Sequence, residues 1–187
     1  MYDETLLDMI DLKKLVAKVK RRKEEVEKFL DHLKNNTDFF AAPASSKYHS
    51  SYTGGLLHHS ILVTKKMLDL NEALNAGLDE ESIVIAGLFH DVGKIGFYKW
   101  NGFSYERVGS KTGAPHEILS LVYTSKFLDL TPDESHAILY HNGLYTPLGQ
   151  ELRGKERPLT LILHFADMWC SRFVEIRPNT EVVENGT

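Results

Sequence analysis

His90-Asp91 stands between an apolar run ending in Leu88-Phe89 and the turn Val92-Gly93-Lys94. A neutral imidazole beside a carboxylate offers a divalent cation two donors of different charge. Adjacency alone carries little, because such a pair is more often a helix end or a surface hydrogen bond. The wider pattern carries more: His59 precedes the pair, and His116, His141 and Asp167 follow it, each beside an apolar helical run and mostly 25 to 30 residues apart. That spacing is about one helix plus one loop per donor, so successive helices can converge on one point. Imidazoles and carboxylates without a thiolate set suit borderline cations: Mn²⁺, Fe²⁺, Co²⁺, Ni²⁺ or Zn²⁺. One ion would take His59, His90, Asp91 and Asp167. A carboxylate can bridge, so Asp91 can share a second ion with His116 and His141. Two cations about 3.5–4 Å apart activate a water and neutralise charge on a phosphoryl group.

His58 and His59 point about 100° apart on one helix, so only one can face a shared site. His59 is in register with Leu56, Val63 and Met67, which favours it. Asp91 can also orient or deprotonate an attacking water. Lys94 can meet a substrate phosphate as a point charge. Arg107, Lys111 and Tyr145 are further candidates for substrate contact, as are the cations Arg153, Lys155 and Arg157. His49 and His164 are candidates for holding ligand histidines in the correct tautomer. His164 lies three residues before Asp167, on the same helix face.

The elements that must carry these groups read as helices. Leu6, Leu7, Ile10, Leu15, Val19, Val26, Phe29, Leu30 and Leu33 recur at helical steps, predicting one amphipathic helix from about Thr5 to Asn35. Its basic run, Lys18 to Lys23, reads as a solvated face. A second helix runs from Gly54-Gly55 to about Leu74. A third starts after Asp79, a good N-cap, and its apolar second half places it centrally. Asn101-Gly102 between aromatic flanks predicts a two-stranded flap with a type I′ turn. Helices resume near Pro115 to Leu128 and Pro132 to Tyr140, and from Pro158 to about Glu175.

The chain has 187 residues, 42% hydrophobic and 26% charged, ordinary for a globular domain. Its 22 basic and 26 acidic residues give 22 − 26 = −4, which argues against holding long nucleic acid. One cysteine, Cys170, builds no disulfide framework. With no signal-peptide pattern and no membrane span, a cytoplasmic protein is expected.

Gly54-Gly55-Leu56-Leu57-His58-His59-Ser60, Gly87-Leu88-Phe89-His90-Asp91-Val92-Gly93-Lys94 and Leu163-His164-Phe165-Ala166-Asp167 resemble the three signature segments of the HD-domain metal-dependent phosphohydrolases. The likeness runs from about Ala42 to Glu175. Within that superfamily the chain most resembles the HD domains of bacterial 3′–5′ exoribonucleases and of relaxase-associated proteins. Ala42-Pro43-Ala44-Ser45-Ser46, Tyr48-His49 and Gly54-Gly55 resemble their segment ahead of the first ligand. The Gly-Tyr-Pro signature of the cyclic-dinucleotide branch is absent, and only a helix stands where the exoribonucleases carry a nucleic-acid-binding domain. The resemblance implies an all-α fold: a single HD-domain bundle over 37–176, with a β-hairpin flap, a long N-terminal helix over 1–36 and a flexible tail over 177–187. It implies His59, His90, Asp91 and Asp167 as core metal ligands and His116 and His141 as the extra pair of dinuclear members. One or two divalent ions (Mn, Fe, Ni, Co, Zn or Mg) are expected. The implied function is hydrolysis of a phosphoester of a nucleotide or short nucleic acid by a metal-activated water. A metal-stabilised nucleotide-binding or regulatory module without turnover is the alternative. The substrate partner is a phosphorylated small molecule or short nucleic acid, with no membrane partner, and the N-terminal helix offers a surface for homo-oligomers.

Overall fold

In the computed structural model, which describes residues 4–176, the N-terminal apolar repeat forms two helices and not one. α1 is Glu4–Val16 and α2 is Lys23–Asn36. The continuous helix expected from Thr5 to Asn35 is therefore corrected, although no Pro or Gly lies between residues 17 and 22. The reason is tertiary. Glu81, only 2% exposed, accepts hydrogen bonds from Lys20 N (2.8 Å) and Arg21 N (2.7 Å). Lys20 and Arg21 lie in the link between the two helices, where buried N–H groups need acceptors, and this buried carboxylate supplies them from a distant element. Arg22 completes the junction, donating to Glu81 at 2.8 Å, to both Glu134 oxygens at 2.6 and 2.7 Å, and to Asp129 O at 3.0 Å. The basic run is thus not wholly a solvated face.

The apolar stripes of α1 and α2 are occupied within the chain. Leu12, Leu15, Val26, Phe29 and Leu33 join one buried cluster with Leu56, Ile61, Leu88 and Phe89. Leu6, Leu7 and Ile10 stay exposed. α3 (Gly55–Ala73) and α4 (Glu80–Phe89) form the centre of the bundle. The Asp79 side chain caps α4 by accepting from Ser82 N at 3.2 Å. A Cβ on Gly87 would stand 2.5 Å from Thr64 Oγ1, so glycine is what lets α3 and α4 approach so closely.

After a 3₁₀ turn at Val92–Lys94 comes the flap, β1 (Tyr98–Trp100) antiparallel to β2 (Tyr105–Arg107), with Trp100 opposite Tyr105. The expected cross-strand aromatic pair is present, with ring centroids 5.2 Å apart. The two-residue type I′ turn is not. Four residues, 101–104, connect the strands, and Asn101 Oδ1 accepts from Phe103 N and Ser104 N at 2.9 Å each. A side-chain acceptor closes this loop, so Asn101 needs no positive φ.

α5 (His116–Thr124) starts after Pro115, and α6 (Pro132–Tyr140) opens with a capping box between Thr131 and Glu134. The segment before the last helix holds a short helix, α7 (Pro147–Gln150). α8 (Pro158–Trp169) runs into a π turn at Cys170–Val174, closed by Glu175 N donating to Cys170 O at 2.9 Å. Val63, Met67, Ile83, Ala137, Leu163 and Ala166 form a second core between α3, α4, α6 and α8. Cys170 is buried there, and burial pushes its thiol up to about 12. Among the described residues the architecture is eight helices and one hairpin, an all-α fold. No helix is long and apolar enough to cross a membrane. The tail expected over 177–187 lies outside the described residues.

Candidate metal centre

The two cores meet where five helices deliver their chemistry. His59 sits in α3 at 0% exposure, between Leu56 and Val63, while His58 turns away to Asp8 at 2.9 Å. His90 is the C-cap of α4 with Asp91 following, and His141 is the C-cap of α6. His116 opens α5. Gly93 sets the approach of that helix, because a Cβ there would collide with the His116 carbonyl and Ser120 N. Asp167 lies in the last turn of α8.

All six expected ligands converge, and Asp91 is their hinge. Its Oδ2 is 3.5 Å from both His59 Nε2 and His90 Nε2. Its Oδ1 is 3.2 Å from His116 Nε2 and 3.5 Å from His141 Nε2. Asp167 Oδ1 stands 3.3 Å from His59 Nε2. Donor atoms of His59, His90 and Asp91, of His90, His141 and Asp167, and of Asp91, His116 and His141 each fall within 4.8 Å of one another.

The protons point outward from this convergence. His59 Nδ1 donates to Glu175 Oε1 at 2.7 Å. His90 Nδ1 donates to Gly87 O and His141 Nδ1 to Ile138 O, both at 2.8 Å. These two are the same device: a C-cap histidine uses the free carbonyl three residues back, one of the acceptors every helix end leaves over. His116 Nδ1 lies 3.2 Å from Glu117 Oε2. An acceptor at Nδ1 leaves the neutral ring's lone pair on Nε2. His59 Nε2, His90 Nε2 and Asp91 Oδ1 are buried and make no hydrogen bond. Buried polar atoms are otherwise almost always satisfied. Convergent, unsatisfied imidazole and carboxylate donors are what a divalent cation requires, and this set fits one.

Electrostatics favour an ionised Asp91 and a neutral His90, and draw His59 toward its protonated form. Burial opposes ionising Asp91, yet Lys94 and the surrounding histidines hold its carboxyl well below the usual range. Burial likewise opposes charging His59, but Glu175, Asp167 and Asp91 outweigh it and raise its affinity for protons. For His90 burial outweighs the attraction of Asp91 and Asp167 and takes it down to about 4. Lys94 Nζ donates to Asp91 Oδ2 at 2.6 Å and to Ala44 O at 3.3 Å, leaving one of its three N–H groups uncommitted.

The other expected residues are placed less centrally. The His49 ring is 5.0 Å from that of His59, with its Nε2 buried and unpartnered, and burial lowers it to about 4. His164 donates from Nδ1 to the backbone carbonyl of His141 at 2.7 Å, so it props the main chain of a ligand and not its imidazole. Arg107 is exposed, 5.9 Å over the Phe97 ring, and Lys111 is exposed. Tyr145 is 64% exposed and lies 5.8 Å from His164. None of these three makes a hydrogen bond or ion pair with the six. Arg157 pairs with Asp133 at 2.7 Å, and Arg153 and Lys155 are exposed.

Three residues escaped the sequence reading. Glu175 accepts from His59 and, at 2.6 Å, from Ser50 Oγ. Asn142 Nδ2 lies 3.2 Å from both His116 Nε2 and His141 Nε2 and 2.8 Å from Glu117 Oε1. Asn142 and Glu117 each follow a ligand histidine directly, a signal available in the sequence. Glu175 is 116 residues from its partner and had none.

The HD domain family model matches residues 56–169, spanning His59 through Asp167. Among curated proteins, the dihydroneopterin 2′,3′-cyclic phosphate phosphodiesterase of Methanocaldococcus jannaschii is 42% identical over 57 residues. That stretch covers 28% of this chain and only 23% of the phosphodiesterase. No solved structure matches. With its helices delivering the signature residues to one point and the family pattern spanning more than half its length, the chain belongs to the HD domain family.

Proposed function

We propose that the chain is a metal-dependent phosphohydrolase that cleaves a phosphoester of a nucleotide or short nucleic acid. The observation that carries this reading is the convergence of His59 Nε2, His90 Nε2 and Asp91 Oδ1, buried and without hydrogen bonds, beside His116, His141 and Asp167. Family membership and the phosphodiesterase relative support it. A divalent cation held there lowers the pKa of water and neutralises charge building on phosphorus.

The chain's own groups have distinct parts in this reading. His59, His90, Asp91 and Asp167 hold one ion. Asp91 would share a second with His116 and His141. The mixed carboxylate and imidazole set suits several borderline metals, manganese among them. Lys94 fixes the Asp91 carboxylate and offers its remaining N–H to a phosphate oxygen. Asp91 is also the nearest base for a proton released by attacking water. Arg107, Lys111 and Tyr145 contact the parts of the substrate that extend beyond the reacting phosphorus.

The test is a panel of mononucleotides, cyclic nucleotides and short single strands, assayed with each of several added metals, alongside metal analysis of the purified protein. Release of phosphate or nucleotide that disappears in Asp91→Ala supports the reading. Tight nucleotide binding with no turnover under any metal would reduce the chain to a metal-stabilised binding module.

A further inference from the structure

One turn beyond Asp167, the helix carries Ser171 and Arg172 into the wall of a cavity of about 520 Å³. Lys47, Tyr48, His49 and Ile176 complete the lining. The volume is in the range of small-molecule sites, roughly 300–1,000 Å³. Ser171 follows Asp167 by four residues, across the junction of α8 with the π turn, so the cavity wall continues from the segment that carries Asp167. His49 joins the two regions, because its ring lies tilted beside that of His59, centroids 5.0 Å apart, and the residue also lines the cavity.

Some exposed cations of this surface pair with carboxylates and others do not, and two of the unpaired ones line this cavity. Arg21, Lys14, Lys18, Lys65, Lys66 and Arg157 all have carboxylate partners. Lys47 and Arg172 have none among the described residues, and both are exposed. Arg172 is nevertheless held, its guanidinium lying 4.6 Å over the Tyr145 ring. A cation fixed by an aromatic face and left without an anion is prepared to meet one. The carboxylate that comes nearest in sequence, Glu175, has its two oxygens committed to His59 and Ser50. His49 adds a buried ring nitrogen with no partner, and Tyr48, 84% exposed, adds a face on which a ring can lie.

We propose that Lys47 and Arg172 bind a second phosphate of the substrate, so that the preferred ligand is a molecule with two phosphates spaced by a nucleoside, such as the end of a short single strand. This rests on the function proposed above and narrows its substrate class. One phosphate lies at the His/Asp cluster, the sugar passes His49, and the second phosphate sits between Lys47 and Arg172, with a base against Tyr48 or Tyr145.

Two ligands separate this from a general attraction of anions: thymidine 5′-monophosphate, and the 5′-phosphorylated thymidine dinucleotide with a hydrolysis-resistant phosphorothioate linkage. Both are titrated calorimetrically into the full chain with Mn²⁺, at several salt concentrations. The wild type binds the dinucleotide more tightly by about tenfold or more, with a steeper salt dependence. In Lys47→Glu/Arg172→Glu, checked for folding by circular dichroism, the ratio of the two affinities falls to near one and the extra salt dependence disappears. A ratio unchanged by these substitutions, or absent in the wild type, overturns the assignment. Turnover of the unmodified dinucleotide is scored separately. A charge-dependent ratio without turnover keeps the pocket and removes the hydrolase reading; turnover with no such ratio does the reverse.

Discussion

Two clusters of buried charge lie in this molecule, and they are built to opposite rules. Around Arg22, the guanidinium, Glu81 and Glu134 satisfy one another and four backbone groups, Lys20 N, Arg21 N, Thr131 N and Asp129 O. Around Asp91, imidazoles and carboxylates approach to 3.2–3.5 Å without hydrogen bonds, and three polar atoms are left unpartnered. The first cluster is complete as it stands and ties α2 to α4 and α6. The second is complete only with a cation. Complete networks serve the fold and incomplete ones serve ligands, a distinction that geometry makes and residue type does not.

Asp91→Ala breaks the second cluster most severely. It removes the carboxylate whose two oxygens lie against separate pairs of histidines, so turnover falls by about a thousandfold or more, equivalent to about 4 kcal/mol of barrier. The fold tolerates this better, since no other element hangs on Asp91 except through Lys94. Added Mn²⁺ should raise the melting temperature of the wild type and leave Asp91→Ala unmoved, because only a folded state that binds the ion gains from it. An equal rise in both proteins would show that the ion binds elsewhere.

Arg22→Ala is the mirror experiment. It strands two buried carboxylates, a loss of about 3–5 kcal/mol, or roughly 6–20 °C in melting temperature for a chain of this size. Metal affinity per folded molecule should hardly change. The pH dependence follows from Glu134. Burial alone would raise its pKa, but hydrogen bonds from Arg22, Ser82 and Thr131 hold it below 4.5. A depressed folded-state pKa gives stability that is fully present above the unfolded value and lost as pH falls through the folded one. Wild type should therefore lose stability from about pH 4.5 downward, and Arg22→Ala should lose less over that window. Denaturant midpoints from pH 3 to 7 check it, and parallel curves would refute the assignment.

These contrasts also explain what could be read in advance. The ligands were legible because each sits at the end or on the buried face of an apolar helix, where a polar residue stands out. His59 separated from His58 by helical phase alone. The Arg22 cluster was not legible, since a basic run looks solvated until Glu81 and Glu134 arrive from 59 and 112 residues away. For the same reason the break between α1 and α2 left no local mark: its acceptor lies on another helix. Glu175 was hidden twice, by distance and by the π turn that re-aims the chain just before it.

Glu175→Ala tests whether the outer partner of a ligand matters as the comparison implies. Without the acceptor at Nδ1, His59 is free to rotate or to carry its proton on Nε2, where it blocks the ion. Metal affinity should drop by 10- to 100-fold, in line with the usual loss of such partners, about 1.4–2.7 kcal/mol. Glu175→Gln, which keeps an acceptor oxygen but not the charge, should fall between. Competition against a chelating dye measures both. Affinity unchanged in Glu175→Ala would mean that packing alone holds the His59 ring.

The smallest effect belongs to the neighbouring histidine. His58 is one residue from a proposed ligand, yet its ring pairs with Asp8 on α1, and its side chain is 24% exposed. A partly solvated pair of this kind contributes about 0–1 kcal/mol. His58→Ala should therefore lower the melting temperature by no more than about 4 °C and leave Mn²⁺ affinity within about twofold of wild type, an energy below about 0.5 kcal/mol. His59→Ala, set beside it in the same titration, should lose measurable binding. Adjacent residues of one type would then differ through helical phase alone: one ring reaches the Asp8 carboxylate, the other a buried set of donors that nothing among the described residues completes.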